Sequence, residues 1–222
     1  MHPDNRAMNF QTVTNLNLHN LDQAVDLVRV NKLADGSKES TFLRAYPSLL
    51  AAARASNRGV TETFLMTAAF VYGWMPGSLR ADPTLLAAAA RAFDQARGED
   101  AQFSEKTVSA VAGCLQSLVA ATRVLHFANP HLYPTWDRKI EQFRRGLPPS
   151  QYHMAQTANY VDYVADVQLL KGEEGFLGFH HDYCMNYQER LRQLAIPPYP
   201  LTDMRVVEAA VYEIITAQAG RP

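Results

Sequence analysis

Along almost its whole length the chain repeats apolar residues at intervals of three and four, and runs of strictly alternating apolar and polar residues are hard to find. That is the period of helices with one buried stripe, so the pattern predicts an all-α protein. Leu21, Val25 and Val28 line a first helix that Asp35-Gly36 stops. A second is expected around Tyr46-Pro47, with the proline in its first turn, running to Gly59. Thr61-Glu62 opens a third, closed at Met75-Pro76-Gly77. Asp82-Pro83, a capping acid before a first-turn proline, opens a fourth with Leu85, Leu86, Ala89, Ala90 and Phe93 as its buried stripe. From Ser104 one seam of Val108, Val111, Leu115, Leu118 and Leu125 runs through Phe127 until Asn129-Pro130 breaks it. Asp137 to Arg145 reads as a short helix ended by Gly146. Residues 152–170 form a longer one with Tyr160, Tyr163, Val164, Val167 and Leu170 on one side, and 176–194 another. "IPPYP" (196–200) is a rigid extended connector, and a last helix begins near Thr202 or Asp203 with Val207, Val211, Ile214 and Ile215 inward. With no internal repeat, the expectation is one all-α domain over 1–222, or two closely packed helical halves with a cleft near 126–145.

A chain of 222 residues is long enough to bury about 70% of the surface its unfolded form exposes, so its core needs no staples. The formal net charge of −1 argues against a general polycationic coat, and any nucleic-acid contact has to be local. Cys114 and Cys184 are too few for a disulfide framework or a four-thiolate metal site, and are expected as reduced thiols. The opening "MHPDNRAMNF" lacks the basic start and apolar core of a secretory signal, and no apolar run is long enough to cross a bilayer. The expectation is a soluble cytoplasmic protein that does not engage a membrane.

Chemistry concentrates in "LHFANPHLYPTWDRKI", 125–140, where an apolar helix end crosses a loop with two prolines and delivers Trp136 and Asp137 to a new helix. An acid in a first turn is stabilised by free backbone N–H groups and the helix dipole, by about 0.3–1 kcal/mol. That reading makes Asp137 a cap or a first-turn acid behind Thr135, with Trp136 filling the core. The functional reading adds the neighbours: Arg138, Lys139, Arg144 and Arg145 crowd one short helix, opposed only by Glu141 and Asp137. Cations and helix N-terminal amides hold phosphates, and a large aromatic stacks or wedges against a displaced base.

Elsewhere the signals are weaker. "HHDYC" (180–184) combines histidine, acid and thiol, but its spacing matches no helical two-histidine site, so no metal is expected. His126, on an apolar helix face, is expected to be a hydrogen-bonded core residue tying down the loop that follows. No Gly-x-Ser-x-Gly elbow, phosphate-cradling glycine loop or dinucleotide fingerprint occurs, and no cofactor is implied. Tyr152, Tyr160 and Tyr163 are expected on one helix, where tyrosines can stack on bases but at such spacing are usually core with hydroxyls at the rim. Glu208 in the apolar last helix is expected to pair with Arg205 three residues earlier.

The segment 117–140, "SLVAATRVLHFANPHLYPTWDRKI", resembles the part of helix-hairpin-helix DNA glycosylases in which a helical hairpin leads through an apolar helix and a proline loop to an aspartate. It is still more similar to uncharacterised bacterial proteins with a Ser/Thr-Lys/Arg-x-Leu-His-Phe-x-x-Pro stretch followed by Phe/Tyr-Pro-x-Trp-Asp. The matching residues are Thr122, Arg123, Leu125, His126, Phe127, Pro130, Tyr133, Pro134, Trp136 and Asp137, and "TDMRVVEAAVYEII" (202–215) resembles the closing helix of those proteins. The resemblance implies a helical fold with Asp137 at a cleft and DNA as partner. Asp137 would stabilise the sugar cation as a base departs. The chain departs from the pattern in having no glycine in "LQSLVAAT", no hairpin lysine and no iron-sulfur cysteines. Pro134 also lies one residue further from Asp137 than in the usual Pro-x-Asp.

The leading expectation is therefore a DNA-binding protein, with monofunctional base excision as its catalytic form. Asp137 is the catalytic candidate, and Trp136, Arg123, Arg138, Lys139, Arg144, Arg145, His126 and Tyr133 are the candidate substrate contacts. A non-catalytic helical interaction or structural protein, with Asp137 as cap, Arg123 as its partner and Trp136 as core, stands beside it. An enzyme acting on a small nucleoside is the third reading.

Overall fold

A computed structural model describes residues 14–55, 57–75 and 77–219 of the chain. The opening decapeptide and Pro76, on which two of the expectations rest, lie outside the described residues. Within them the protein is all-helical, with no strand. The helices are α1 (Leu18–Leu21), α2 (Gln23–Val30), α3 (Lys38–Arg54), α4 (Val60–Gly73), α5 (Leu86–Ala96) and α6 (Glu105–Leu115). They continue as α7 (Leu118–Ala128), α8 (Arg138–Arg145), α9 (Gln151–Ala155), α10 (Thr157–Lys171), α11 (Phe176–Gln193) and α12 (Asp203–Ala219). No helix among the described residues is long and apolar enough to cross a membrane.

Two groups of helices share one core. Helix α7 packs against α3, α4, α5 and α6, while α12 packs against α1, α2, α8, α10 and α11. Both helices are buried on nearly every face: α7 buries nine of its eleven residues, and α12 buries Met204 to Val211 continuously. A helix buried nearly all round lies at the centre of a multi-helix fold rather than on its surface.

Four expected elements differ from the pattern. Helix α3 begins at Lys38, capped by Ser37, so Pro47 sits in its interior rather than in its first turn. An interior proline leaves the carbonyl four residues back without its donor. That carbonyl belongs to Leu43, and the Tyr199 hydroxyl donates to it at 3.2 Å. The single seam from Ser104 to Phe127 is two helices, because Gln116 turns left-handed at φ 51° and Ser117 caps a new helix through the Ala120 amide. The hairpin thus has its left-handed residue without a glycine. Asp82 binds the Thr84 amide and hydroxyl at 2.8 and 2.6 Å, forming a turn, and α5 starts only at Leu86. Residues 152–170 are likewise divided at Gln156 into α9 and α10.

Candidate functional site

The segment 129–137 is a loop, buried from Tyr133 to Trp136, in which three carbonyls are taken up by distant side chains. Thr202 Oγ1 donates to Pro130 O at 2.8 Å, His126 Nδ1 to Tyr133 O at 3.0 Å and Tyr160 Oη to Pro134 O at 2.9 Å. The Trp136 amide donates to Thr122 Oγ1 at 3.3 Å. A buried irregular backbone needs such partners, since an unpaired buried carbonyl costs about as much as a lost hydrogen bond. The histidine is fixed in one tautomer by this arrangement: Nδ1 faces a carbonyl, which only accepts, so Nδ1 carries the proton. Nε2 then accepts from the Tyr46 hydroxyl at 2.8 Å. Burial, reinforced by nearby Arg205, holds the His126 imidazole down to about 4, against the opposing pull of Glu208 and of the bond to Tyr133.

Asp137 sits at the mouth of this loop as the N-cap of α8. One oxygen, Oδ1, accepts from the amides of Lys139 and Ile140 at 2.9 and 3.1 Å. The other accepts from Arg123 Nη2 at 2.9 Å and from the Tyr212 hydroxyl. Burial and then the charge and hydrogen bond of Asp137 push the Tyr212 phenol up, so it stays protonated and donating. The carboxylate side chain is 16% exposed. Its four donors match the roughly four lone-pair positions that an ionised carboxyl offers.

Behind it lies a second carboxylate that the sequence reading had placed only as an opposing charge. Glu141 is fully buried and takes the Trp136 indole N–H at 3.0 Å, two guanidinium bonds from Arg144 at 2.8 Å each, and His153 Nε2 at 2.6 Å. Arg144 reaches on to Asp166 at 2.6 Å. Burial alone would raise the Glu141 carboxyl, but the bonds from Arg144 and Trp136 outweigh it and hold it below the ordinary value.

Five of the expected ligand contacts are buried or already paired within the protein. Trp136, Tyr133 and His126 are interior side chains with no face toward solvent, and Arg144 spends its guanidinium on Glu141 and Asp166. Arg123 is tied to Asp137. By contrast Arg138, Lys139 and Arg145 are exposed, and none of them is paired with a carboxylate among the described residues.

Compared with known proteins, the chain matches no family model, no curated protein and no solved structure. Its function has to be argued from its own side chains.

Among the described residues, pockets lie elsewhere. One of about 390 Å³ is lined by Arg54, Arg97, Glu99, Asn129, His131 and Leu132 among others, and so opens on the first part of the expected cleft but not onto Asp137. Its Arg97 is engaged by the Ala53 and Ala55 carbonyls, both at 3.1 Å, and by Asp94. Another, about 250 Å³, lies between α2 and α11 beside Arg29, Lys32 and Arg190. Among the described residues no group of three or more histidine, cysteine or acid side chains is arranged to hold a metal. Cys184 and His180 lie 3.9 Å apart, and burial pushes the Cys184 thiol up to about 11, away from thiolate chemistry. The Arg205–Glu208 pair expected on α12 is present and buried.

Tyr212, which closes over Asp137 from 75 residues away, carries no signal in the sequence, and Tyr152, expected on one helix with Tyr160, stands 76% exposed on α9 instead. For Tyr152 a signal existed: Pro148-Pro149 and Ser150 in front of it mark a break and a new cap.

Proposed function

We propose that the protein binds nucleic acid through the solvent face of α8, without turnover. The observation that carries this reading is an unbalanced local charge. Between 138 and 153 the chain has four Lys and Arg residues and one acid, and that acid, Glu141, is inside and matched to Arg144. Arg138, Lys139 and Arg145 therefore face solvent as unneutralised cations on one short helix. Polyanions bind such a face by releasing condensed counterions, and a net charge of −1 over the whole chain leaves that local attraction in place.

The excision form of the expectation has less support. Base departure calls for an anion presented to the sugar cation across an open site. Asp137 keeps its oxygens on Arg123, Tyr212 and two amides, which use its roughly four lone-pair positions. Its role in this reading is to hold α8 in place.

Fluorescence anisotropy with a labelled duplex tests the proposal. Binding is expected at low salt and falls steeply between about 50 and 200 mM, with a log–log slope of about −0.9 per phosphate contacted. Substituting Arg138, Lys139 and Arg145 together by alanine is expected to weaken binding at least about tenfold and to flatten the slope by about 3. Absence of binding by folded wild-type protein at low salt refutes the proposal and leaves the non-catalytic protein-interaction reading, which shares the same capped Asp137 and buried Trp136.

A further inference from the structure

We infer that the tip formed by residues 147–152 makes the α8 face selective for nucleic acid with unpaired or unstacked bases. This rests on the nucleic-acid reading above and names the ligand class for the same site. Leu147 is 63% exposed and Tyr152 76% exposed, five positions apart, at the end of the helix that carries the free cations.

The tip is held stiffly from beneath. Gly146 ends α8 in the left-handed region at φ 71°, and Pro148-Pro149 restrict the next two residues. Arg138 Nη2, from the opposite end of α8, donates to Pro149 O at 2.9 Å. Ser150 Oγ caps α9 through the His153 amide at 3.0 Å. His153 is anchored through Nε2 on buried Glu141 at 2.6 Å, with Arg145 Nη1 at 3.4 Å from its other ring nitrogen. Both exposed apolar groups are thus displayed by a segment already ordered through the interior, so little conformational freedom is lost when they are covered.

Cations beside an exposed aromatic form the combination that suits a strand with accessible bases: the cations follow the phosphates and a base stacks on the ring. A compact apolar side chain such as Leu147 fits against an opened base step. In a fully paired duplex both contacts require unstacking, at a cost of a few kcal/mol, which an unpaired or bulged strand has already met. Charge complementarity selects the polyanion, and the two apolar groups select its unstacked form.

The test uses the full chain and four probes in one buffer: a single-stranded oligonucleotide, a duplex with a short bulge, the fully paired duplex of equal length, and anionic phospholipid vesicles. Single-stranded and bulged probes are expected to bind about tenfold tighter than paired duplex. Leu147→Ala combined with Tyr152→Ala is expected to lower affinity for those two probes to the paired-duplex value, with the circular dichroism spectrum retained. Equal wild-type affinity for paired and unpaired probes overturns the inference while leaving polyanion binding intact, as does discrimination that survives the double substitution. Vesicle binding tighter than any nucleic acid and dependent on Leu147 and Tyr152 overturns it in favour of a membrane surface. No binding to any probe removes the nucleic-acid reading itself.

Discussion

At the scale of single residues the telling group is Asp137, whose two oxygens are shared between the start of α8, an arginine on α7 and a tyrosine on α12. Asparagine caps a helix about as well as aspartate but cannot form the ion pair. Asp137→Asn is therefore expected to cost about 1–2 kcal/mol in urea unfolding, and Asp137→Ala about 3 kcal/mol, since alanine removes the helix cap as well as the partner of Arg123. Equal stability of all three proteins would show that the carboxylate anchors nothing. His126 gives a second residue-level expectation: its ring resonances should titrate near pH 4, not near the ordinary 6.5, because burial excludes the charged form. The capping of α8, the Arg123 partner and the core position of His126 were legible in the sequence because their signals are local. Tyr212 was not, since no spacing rule links a carboxylate to a hydroxyl 75 residues away. Which way Trp136 faces was not legible, because an aromatic beside an acid looks the same whether its indole meets solvent or, as here, a buried glutamate.

Among the elements, α8 is secured at both ends. Asp137 caps its start, and its last carbonyls are met by the chain's early segment: Asn15 N donates to Arg144 O at 2.9 Å, Thr14 Oγ1 to the same oxygen at 3.2 Å, and Asn15 Nδ2 to Phe143 O at 3.1 Å. Gly146 follows, left-handed, and a Cβ there would meet Asn15 Nδ2 at 3.1 Å. Gly146→Ala is expected to lower stability by about 1–2 kcal/mol through backbone strain, more if the Asn15 contact is also lost. Urea midpoints with an unchanged m-value would check this. Helix α3 supplies the complementary case. Tyr199 has one hydroxyl proton and gives it to Leu43 O, so Tyr187 must donate to Tyr199 across their 3.0 Å contact. Tyr199→Phe leaves the carbonyl freed by Pro47 without a donor and is expected to cost about 1–3 kcal/mol. The bounds of α8 were readable because aspartate and glycine stand at its two ends. Those of α3 were not, because a proline is tolerated inside a helix when a distant side chain takes its place as donor.

For the whole molecule, the period of apolar residues was enough to establish the helical class, and the arrangement around α7 and α12 was beyond it. Any helix with a buried stripe satisfies the pattern whichever neighbour covers the stripe. Acid stability is a property at this scale. In the folded state His126 is neutral down to about pH 4, whereas the unfolded chain takes up that proton near its ordinary value of 6.5. Unfolding therefore binds a proton between these limits, and stability declines as pH falls through that window, being fully present above it. The contribution is on the order of 3 kcal/mol at neutral pH. Glu141, held below its ordinary value, adds a loss in the same direction at lower pH, once protons displace Arg144 and Trp136 from it. Thermal unfolding followed from pH 7 to pH 4 should show a falling midpoint, with the upper part of the fall absent from a His126→Gln variant.

The closure of Asp137 by Tyr212 has a bearing on how the protein is made. Arg123 and Asp137 leave the ribosome long before the last helix does, so for the time needed to add the intervening residues the acid lacks its phenol and α8 lacks the helix it leans on. The cationic surface thus has the full support of its neighbours only with α12 in place. A truncated translation product ending in α11 would carry every arginine and lysine of that surface without the scaffold that aims them.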